Sequence, residues 1–411
     1  MARPDVMHVA RAAFGSERVR LGLATSAVSA LAGLLVSLAV ARLESIDVVG
    51  EFAIAGASYA LAAGAVRAGF AETVLVVDSE GGQASRDARR ASTVAVVGAA
   101  VLIGVGTALS SWYIATAGLA LHGLCVYEYI KTMNIARFSA RSAFKMEILW
   151  FAAAGPIATA AVLGLVAPLI AYATWALAGC VVGYGFAIKH KYKFIPSVRG
   201  PGISWRLSGT YVADYLIGSG SSQLSVNVLS ATAGTGVAGA LRAAGTLLGP
   251  AALVLGPARA LMIKQLSSLP QSVSTWRRAA SMAVVLLVPV LPILIVVAYL
   301  PSSVASSILG ESWQYAAPVA PWLALEMAFS ATSAVAFAGH KSLLIARETV
   351  SVRSLLAVAR IGGIVTGGIQ GGAQGAAIAM AAVSALGCVI WWVAYVRGLR
   401  KASRSKENTH G

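Results

Sequence analysis

Charge is scarce in this chain, and negative charge is scarcest. Charged residues fill 12% of its 411 positions, with 16 Asp and Glu against 32 Lys and Arg. A soluble domain carries about 25% charge, so a water-exposed surface over most of the chain is excluded. Cysteine is limited to Cys125, Cys180 and Cys388, each inside an apolar run. They read as small buried hydrophobes rather than a disulfide framework. With 5 His, no His cluster and no C-x-x-C, no metal site is expected, and nothing calls for a cofactor. The net charge of +16 would suggest nucleic acid in a soluble protein. No basic stretch is interleaved with exposed aromatics as single-strand binding needs, so nucleic acid is not an expected partner. Nor is any polar stretch long enough for a separate soluble domain.

What the chain does have is apolar length. Hydrophobic residues make up 58% of it, and mean hydropathy is +0.76. At about 20 residues per crossing, about twelve spans can be drawn. They are Val19–Ala41, Phe52–Val77, Ala91–Leu109, Trp112–Ile130, Ile148–Val166, Leu169–Ile188, Leu207–Ser230, Val237–Ile263, Ala279–Leu300, Ala317–Ala338, Ser354–Ile369 and Gly375–Val396. The N-terminus mimics a signal peptide, with basic Met1–Arg20 and then Ala39-Val40-Ala41. The intervening run is about 20 residues, long enough to span, and reads as an uncleaved first helix. Met7, Ala10, Ala13 and Phe14 recur at helical spacing before it, which predicts a short interfacial helix.

Basic residues crowd alternate breaks between the spans. Arg3, Arg11, Arg18 and Arg20 precede the first; Arg86, Arg89 and Arg90 follow the second. Lys131, Arg137, Arg141 and Lys145 follow the fourth, and Lys189, Lys191, Lys193, Arg199 and Arg206 the sixth. Lys264, Arg277 and Arg278 follow the eighth, Lys341, Arg347 and Arg353 the tenth, and five more fill the tail from Arg397 to Lys406. The opposite side holds Arg42. The positive-inside rule then places both termini in the cytoplasm, and the net charge becomes a matter of loops facing anionic headgroups.

Arg67, Arg242, Arg259 and Arg360 stand outside this pattern, inside or near the ends of spans. A mid-membrane charge costs about 2.5–3.5 kcal/mol on insertion scales. Each arginine must therefore face a watery cavity or a partner, or snorkel to the interface. Arg67 and Arg242 fall in spans two and eight, equivalent if the halves repeat. Such a repeat is suggested by Ile135-Ala136-Arg137 and Ile345-Ala346-Arg347, each opening the connection to the next span. Six spans per half keep the orientation, as in parallel-repeat transporters.

Among acids, Asp214 opens a polar stripe with Ser221, Ser222, Gln223, Ser225 and Asn227, suited to lining a cavity. Glu326 sits in span ten between Trp322 and Phe329, either as a proton-coupling carboxylate or as a structural hydrogen-bond acceptor. Glu72 is five residues from Arg67, so a local ion pair is possible though poorly aligned on an α-helix. Glu128 and Glu147 lie near lysines and arginines at span ends and read as solvated pairs. His122, alone in an apolar span, reads as a satisfied core residue. Gly179-x-x-x-Gly183, Gly245-x-x-x-Gly249 and Gly363-x-x-x-Gly367 read as close packing. Gly249-Pro250 and Gly256-Pro257 read as kinks, static or flexing. The longest outer loop, Pro301–Pro318, offers only Glu311 as an ionisable group, so no enzymatic activity and no catalytic residue are expected.

Several segments carry a family likeness: Ala41-Arg42-Leu43 with Gly50-Glu51-Phe52, then Gly239-Ala240-Leu241-Arg242-Ala243-Ala244-Gly245 with Leu248-Gly249-Pro250. Leu309-Gly310-Glu311-Ser312-Trp313 and Gly372-Ala373-Gln374-Gly375-Ala376-Ala377 complete them. In these the chain resembles the multidrug/oligosaccharidyl-lipid/polysaccharide (MOP) exporter superfamily, and within it the Wzx-type polysaccharide flippases. It departs from them at Ser45-Ile46, where relatives commonly carry Gly-Pro. It also lacks the two extra spans of the lipid II flippases.

The resemblance implies an all-α protein with two six-helix bundles around a cavity that opens alternately to each side. The expected organisation is a cytoplasmic segment 1–18, a bundle 19–188, a linker 189–206, a second bundle 207–396 and a basic tail 397–411. It implies a flippase or exporter of a lipid-linked oligosaccharide or polysaccharide precursor in the cytoplasmic (inner) membrane. Partners would be that lipid-linked sugar, membrane lipids and glycan-synthesis enzymes. Arg67 and Arg242 would meet a pyrophosphate, with Arg360, Asp214, Gln223 and Asn227 as further cavity candidates. Glu326, Asp214 and Glu72 are the coupling-ion candidates. Two alternatives are a drug/cation antiporter of the same superfamily and a non-transporting component of a glycan-synthesis assembly.

Overall fold

The computed structural model describes residues 17–77, 84–198, 205–267, 269, 272–343 and 345–410. The expected interfacial helix before span one, and Arg199 of the linker, lie outside them, as do the side chains of Arg86, Arg137 and Arg259. The chain is 89% helical, and the described residues contain no strand.

The N-terminal bundle begins with α1, Glu17–Leu43, and α2, Ile46–Val66, which continues through a π-helical segment Arg67–Glu72 into Thr73–Val77. It is completed by α3, Ala84–Ala108, α4, Trp112–Met133, α5, Ala140–Val162, and α6, Pro168–Lys189. In the C-terminal bundle α7 runs Trp205–Tyr215, through a second π segment Leu216–Gly220, to Ser221–Ala233. α8 comprises Thr235–Leu247 and Gly249–Ser267; α9 comprises Thr275–Leu287 and Leu291–Ala298; α10 is Ala320–Ser342. The last helix, Ala346–His410, breaks at Gly371 and at Gly372, whose φ is +59°. We number the part before the break α11 and the part after it α12. The two fold back as a hairpin in which Gly367 and Gly375 pack backbone to backbone, with no room for a Cβ on either.

Most of these helices outlast the apolar runs at one end, α3 and α5 by about two turns at their starts, because backbone hydrogen bonding continues where polarity returns. α5 ends at Val162, short of the expected Val166, and α10 starts at Ala320, after the expected Ala317. Among the described residues, six helices are long and apolar enough to cross a membrane, or up to eight if each bent pair is one span. The chain is a multi-pass membrane protein. The bend at Gly249-Pro250 exists and measures 65° between Thr235–Leu247 and Gly249–Leu255. Gly256-Pro257 lies within helical backbone. A 51° bend in α9 falls between its two halves, beside Pro289 and Pro292, where proline removes backbone donors.

Within each half the packing is tight. Gly183 of α6 lies against the backbone of Gly123 and Tyr127 of α4. Behind it stands a buried aromatic core in which the Tyr127 and Trp150 centroids are 4.6 Å apart. The bundles meet chiefly through α1 and α2 on one side and α7 and α8 on the other. At the α1–α2 turn they are sealed. A Cβ on Gly50 would overlap the Thr235 carbonyl, one on Gly239 would overlap that of Ile46, and the Thr235 hydroxyl donates to Asp47 at 2.9 Å. Helices Ser302–Leu309 and Trp313–Ala316 lie in the loop before α10, where Gly310, at φ +59°, abuts the Arg42 carbonyl.

For the acidic residues, one expectation is overturned and one open pairing is met. Glu147 is not solvated: it is 1% exposed, 2.8 Å from Lys131 Nζ, which also lies 3.3 Å from Glu128. Its sequence neighbours Lys145 and Arg141 suggested water, but α5 turns Glu147 inward, towards α4. Arg67 and Glu72 do pair, at 3.3 Å, because their segment is π-helical and brings residues five apart within reach.

Candidate functional site

Between the bundles lies a cavity of about 600 Å³. Its N-terminal wall is aromatic. α2 supplies Phe52 and Tyr59; α6 supplies Tyr172 and Trp175. The Tyr172 and Trp175 rings stack at 6.0 Å and 15°, Tyr59 meets Trp175 edge-on at 5.8 Å, and Phe52 meets Tyr172 edge-on at 5.3 Å. Trp150 Nε1 donates to the Trp175 carbonyl at 2.6 Å and helps hold that wall in place.

Arg242, on the first half of α8, opens into the cavity. Its Nη2 donates to Ser37 Oγ of α1 at 2.7 Å, and its guanidinium lies 5.1 Å from the Phe52 ring centroid. No Asp or Glu oxygen among the described residues lies within 4.0 Å of it. Gly245, three residues further along α8, has open space where its Cβ would be. Its remaining donors are positioned for an anion, held by one hydroxyl and one ring face rather than by a carboxylate.

Across the cavity stand Glu326 of α10 and Arg360 of α11, paired at 3.3 Å. Ser384 of α12 donates to the same Glu326 oxygen at 3.0 Å. This triad ties the three helices together. Gln223 of α7 also lines the cavity.

The other sequence candidates lie elsewhere. Asn227 bridges to Ser58 of α2 and so ties the bundles together; its Nδ2 donates to the Ser58 hydroxyl at 3.3 Å. Asp214 pairs with Arg353 at 2.6 Å and is outside the cavity. Arg67 and Glu72 are outside it too, both partly exposed. Arg67 is not at the depth of Arg242. Gly50 and Thr235 mark a common level, and Arg67 lies roughly 15 Å further from it than Arg242 does, at 1.5 Å per residue. Equivalent span number did not mean equivalent depth. The sequence reading missed the aromatic wall and Ser37. The clue was present: Tyr59, Tyr172 and Trp175 sit among alanines and glycines, which leave an aromatic ring standing clear of its helix.

His122 is satisfied on both ring nitrogens, by Ser92 at 2.6 Å and Tyr184 at 2.5 Å.

Solved structures of transporters match the fold of this chain. The lipid II flippase MurJ, in an inward closed conformation, aligns with a TM-score of 0.70 at 10% identity, over 93% of this chain and 89% of that one. An inward-facing multidrug resistance MATE family transporter of the MOP superfamily aligns at 0.56 and 16% identity, over 91% and 96%. A MOP superfamily transporter from Pyrococcus furiosus, described as having a binding pocket of reverse polarity that suggests a different function, aligns at 0.52 and 13% identity, over 94% and 95%. No protein-family model and no curated sequence matches the chain.

Proposed function

We propose that this protein is an alternating-access transporter that moves an anionic lipid-linked oligosaccharide or polysaccharide precursor across the cytoplasmic membrane. The observation that carries this reading is the charge of the central cavity. Glu326, the carboxylate in its lining, is neutralised by Arg360, while Arg242 has no carboxylate partner among the described residues. The cavity is therefore net cationic and suits a diphosphate. A cation antiporter would need a free carboxylate there. The aromatic wall suits the isoprenoid and sugar portions of such a substrate. Basic loops at alternate breaks support cytoplasmic termini, which puts the sealed α1–α2 end outward. The MurJ match supports a lipid-linked cargo, and the Pyrococcus protein supports pocket polarity as a discriminator within this fold.

The test is surface polysaccharide in cells whose only copy is Arg242→Ala or Arg67→Ala. Export lost with the first and retained with the second is the expected result. Wild-type export by Arg242→Ala would remove the proposed anion site.

A further inference from the structure

A second cavity, about 540 Å³, lies within the C-terminal bundle among α7, α10, α11 and α12. It adjoins the first, since Ser222 and Arg360 line both. Its walls are unlike those of its neighbour. Serines line it from three helices, among them Ser219, Ser330, Ser333 and Ser384; Ser333 and Ser384 donate to the Ser330 carbonyl and to Glu326 and can still accept. Phe337 and Trp391 form an apolar patch, edge to face at 4.9 Å.

Its two guanidiniums are each matched by an acid: Arg353 with Asp214 at 2.6 Å, Arg360 with Glu326 at 3.3 Å. A matched ion pair offers donors and acceptors without net charge. That combination, with hydroxyls and an aromatic patch, fits a neutral polyol with one apolar face. It does not fit a phosphate, which would compete with both carboxylates, or an acyl chain, which would take the two ion pairs out of water. The volume lies within the range for small-ligand sites.

We propose that this second cavity is a sugar subsite: it takes the leading saccharide of the lipid-linked substrate while Arg242 takes the diphosphate. The inference rests on the transporter reading above. It divides the labour between one uncompensated arginine and a set of compensated polar groups. Arg360 and Ser222, in the shared wall, stand where the phosphosugar linkage passes from one cavity to the other.

The test uses purified full-length protein and two probes, a polyprenyl diphosphate and the same lipid bearing one N-acetylhexosamine. Wild type should bind the sugar-bearing lipid at least about tenfold more tightly, a difference of about 1.4 kcal/mol. Ser219→Ala/Ser333→Ala should erase most of that preference and leave affinity for the bare lipid unchanged. Trp391→Ala should do the same where it folds; the serine variant needs no repacking and keeps the test open where it does not. Equal wild-type affinity for the two probes, or full preference retained in the serine variant, overturns the subsite and leaves the transporter reading standing. Wild type binding neither probe overturns both.

Discussion

Replacing Arg242 by alanine should weaken diphosphate binding by about 10- to 150-fold. Among the described residues the guanidinium has one hydrogen bond, to Ser37, and no carboxylate partner, so its remaining N–H groups can turn to a ligand. A hydrogen bond to a charged group is worth about 1.5–3 kcal/mol net, and each 1.4 kcal/mol is tenfold in affinity. The bare Coulomb attraction of two unit charges at 4 Å and an effective dielectric of 20 is about 4 kcal/mol, so the lower figure already allows for substantial screening. Arg242→Lys should fall between wild type and alanine, because an ammonium keeps the charge but loses the planar fork and the ring contact with Phe52. The assay is equilibrium binding of a polyprenyl diphosphate to purified protein at two salt concentrations. Affinity should drop with salt in wild type and less so in the alanine variant. Unchanged affinity in Arg242→Ala would refute the assignment, because no other cavity cation among the described residues is uncompensated.

Neutralising Glu326 should have the opposite effect: Glu326→Gln frees Arg360, adds a net positive charge to the cavity and should tighten diphosphate binding about tenfold, while a direct binding measurement showing weaker binding would contradict it. Lys131→Met should lower stability by about 3–5 kcal/mol, since it strands a carboxylate that is 1% exposed, and thermal unfolding of the purified protein reads this. Glu72→Ala should cost no more than about 1 kcal/mol in the same experiment, because the Arg67–Glu72 pair is partly exposed. Gly50→Leu should unseat α2 from Thr235 and open the sealed end, measured as faster labelling of a single cysteine introduced at Ser37; unaltered labelling would place the seal elsewhere.

The alternation of apolar and basic segments made the number and order of helices legible, because membrane crossing imposes a fixed length and loop charge imposes a side. Arg242 was legible as a charge in an apolar run that must have a reason to be there. Arg67 carried the same signal for a different reason, an ion pair made possible by a π-helical segment. Such a segment depends on packing between helices, so a periodicity of 3.6 carries no trace of it. Glu147 shows the converse. Its neighbours in sequence are polar, yet its helix turns it towards Lys131, and only the packing of α5 on α4 decides that. The second cavity was half legible: Ser221, Ser222, Gln223 and Ser225 marked α7 as a lining helix, but its partners on α10, α11 and α12 come from far along the chain.

Transport of an anionic lipid-linked sugar is measured with purified protein reconstituted in liposomes. A fluorescent polyprenyl-diphosphate-linked sugar is placed in both leaflets, and the fraction reachable by an external quencher is followed. Complete quenching is expected in wild-type vesicles, and about half in empty vesicles and in those carrying Arg242→Ala. Half quenching with the wild-type protein, or complete quenching with Arg242→Ala, would contradict the proposed function.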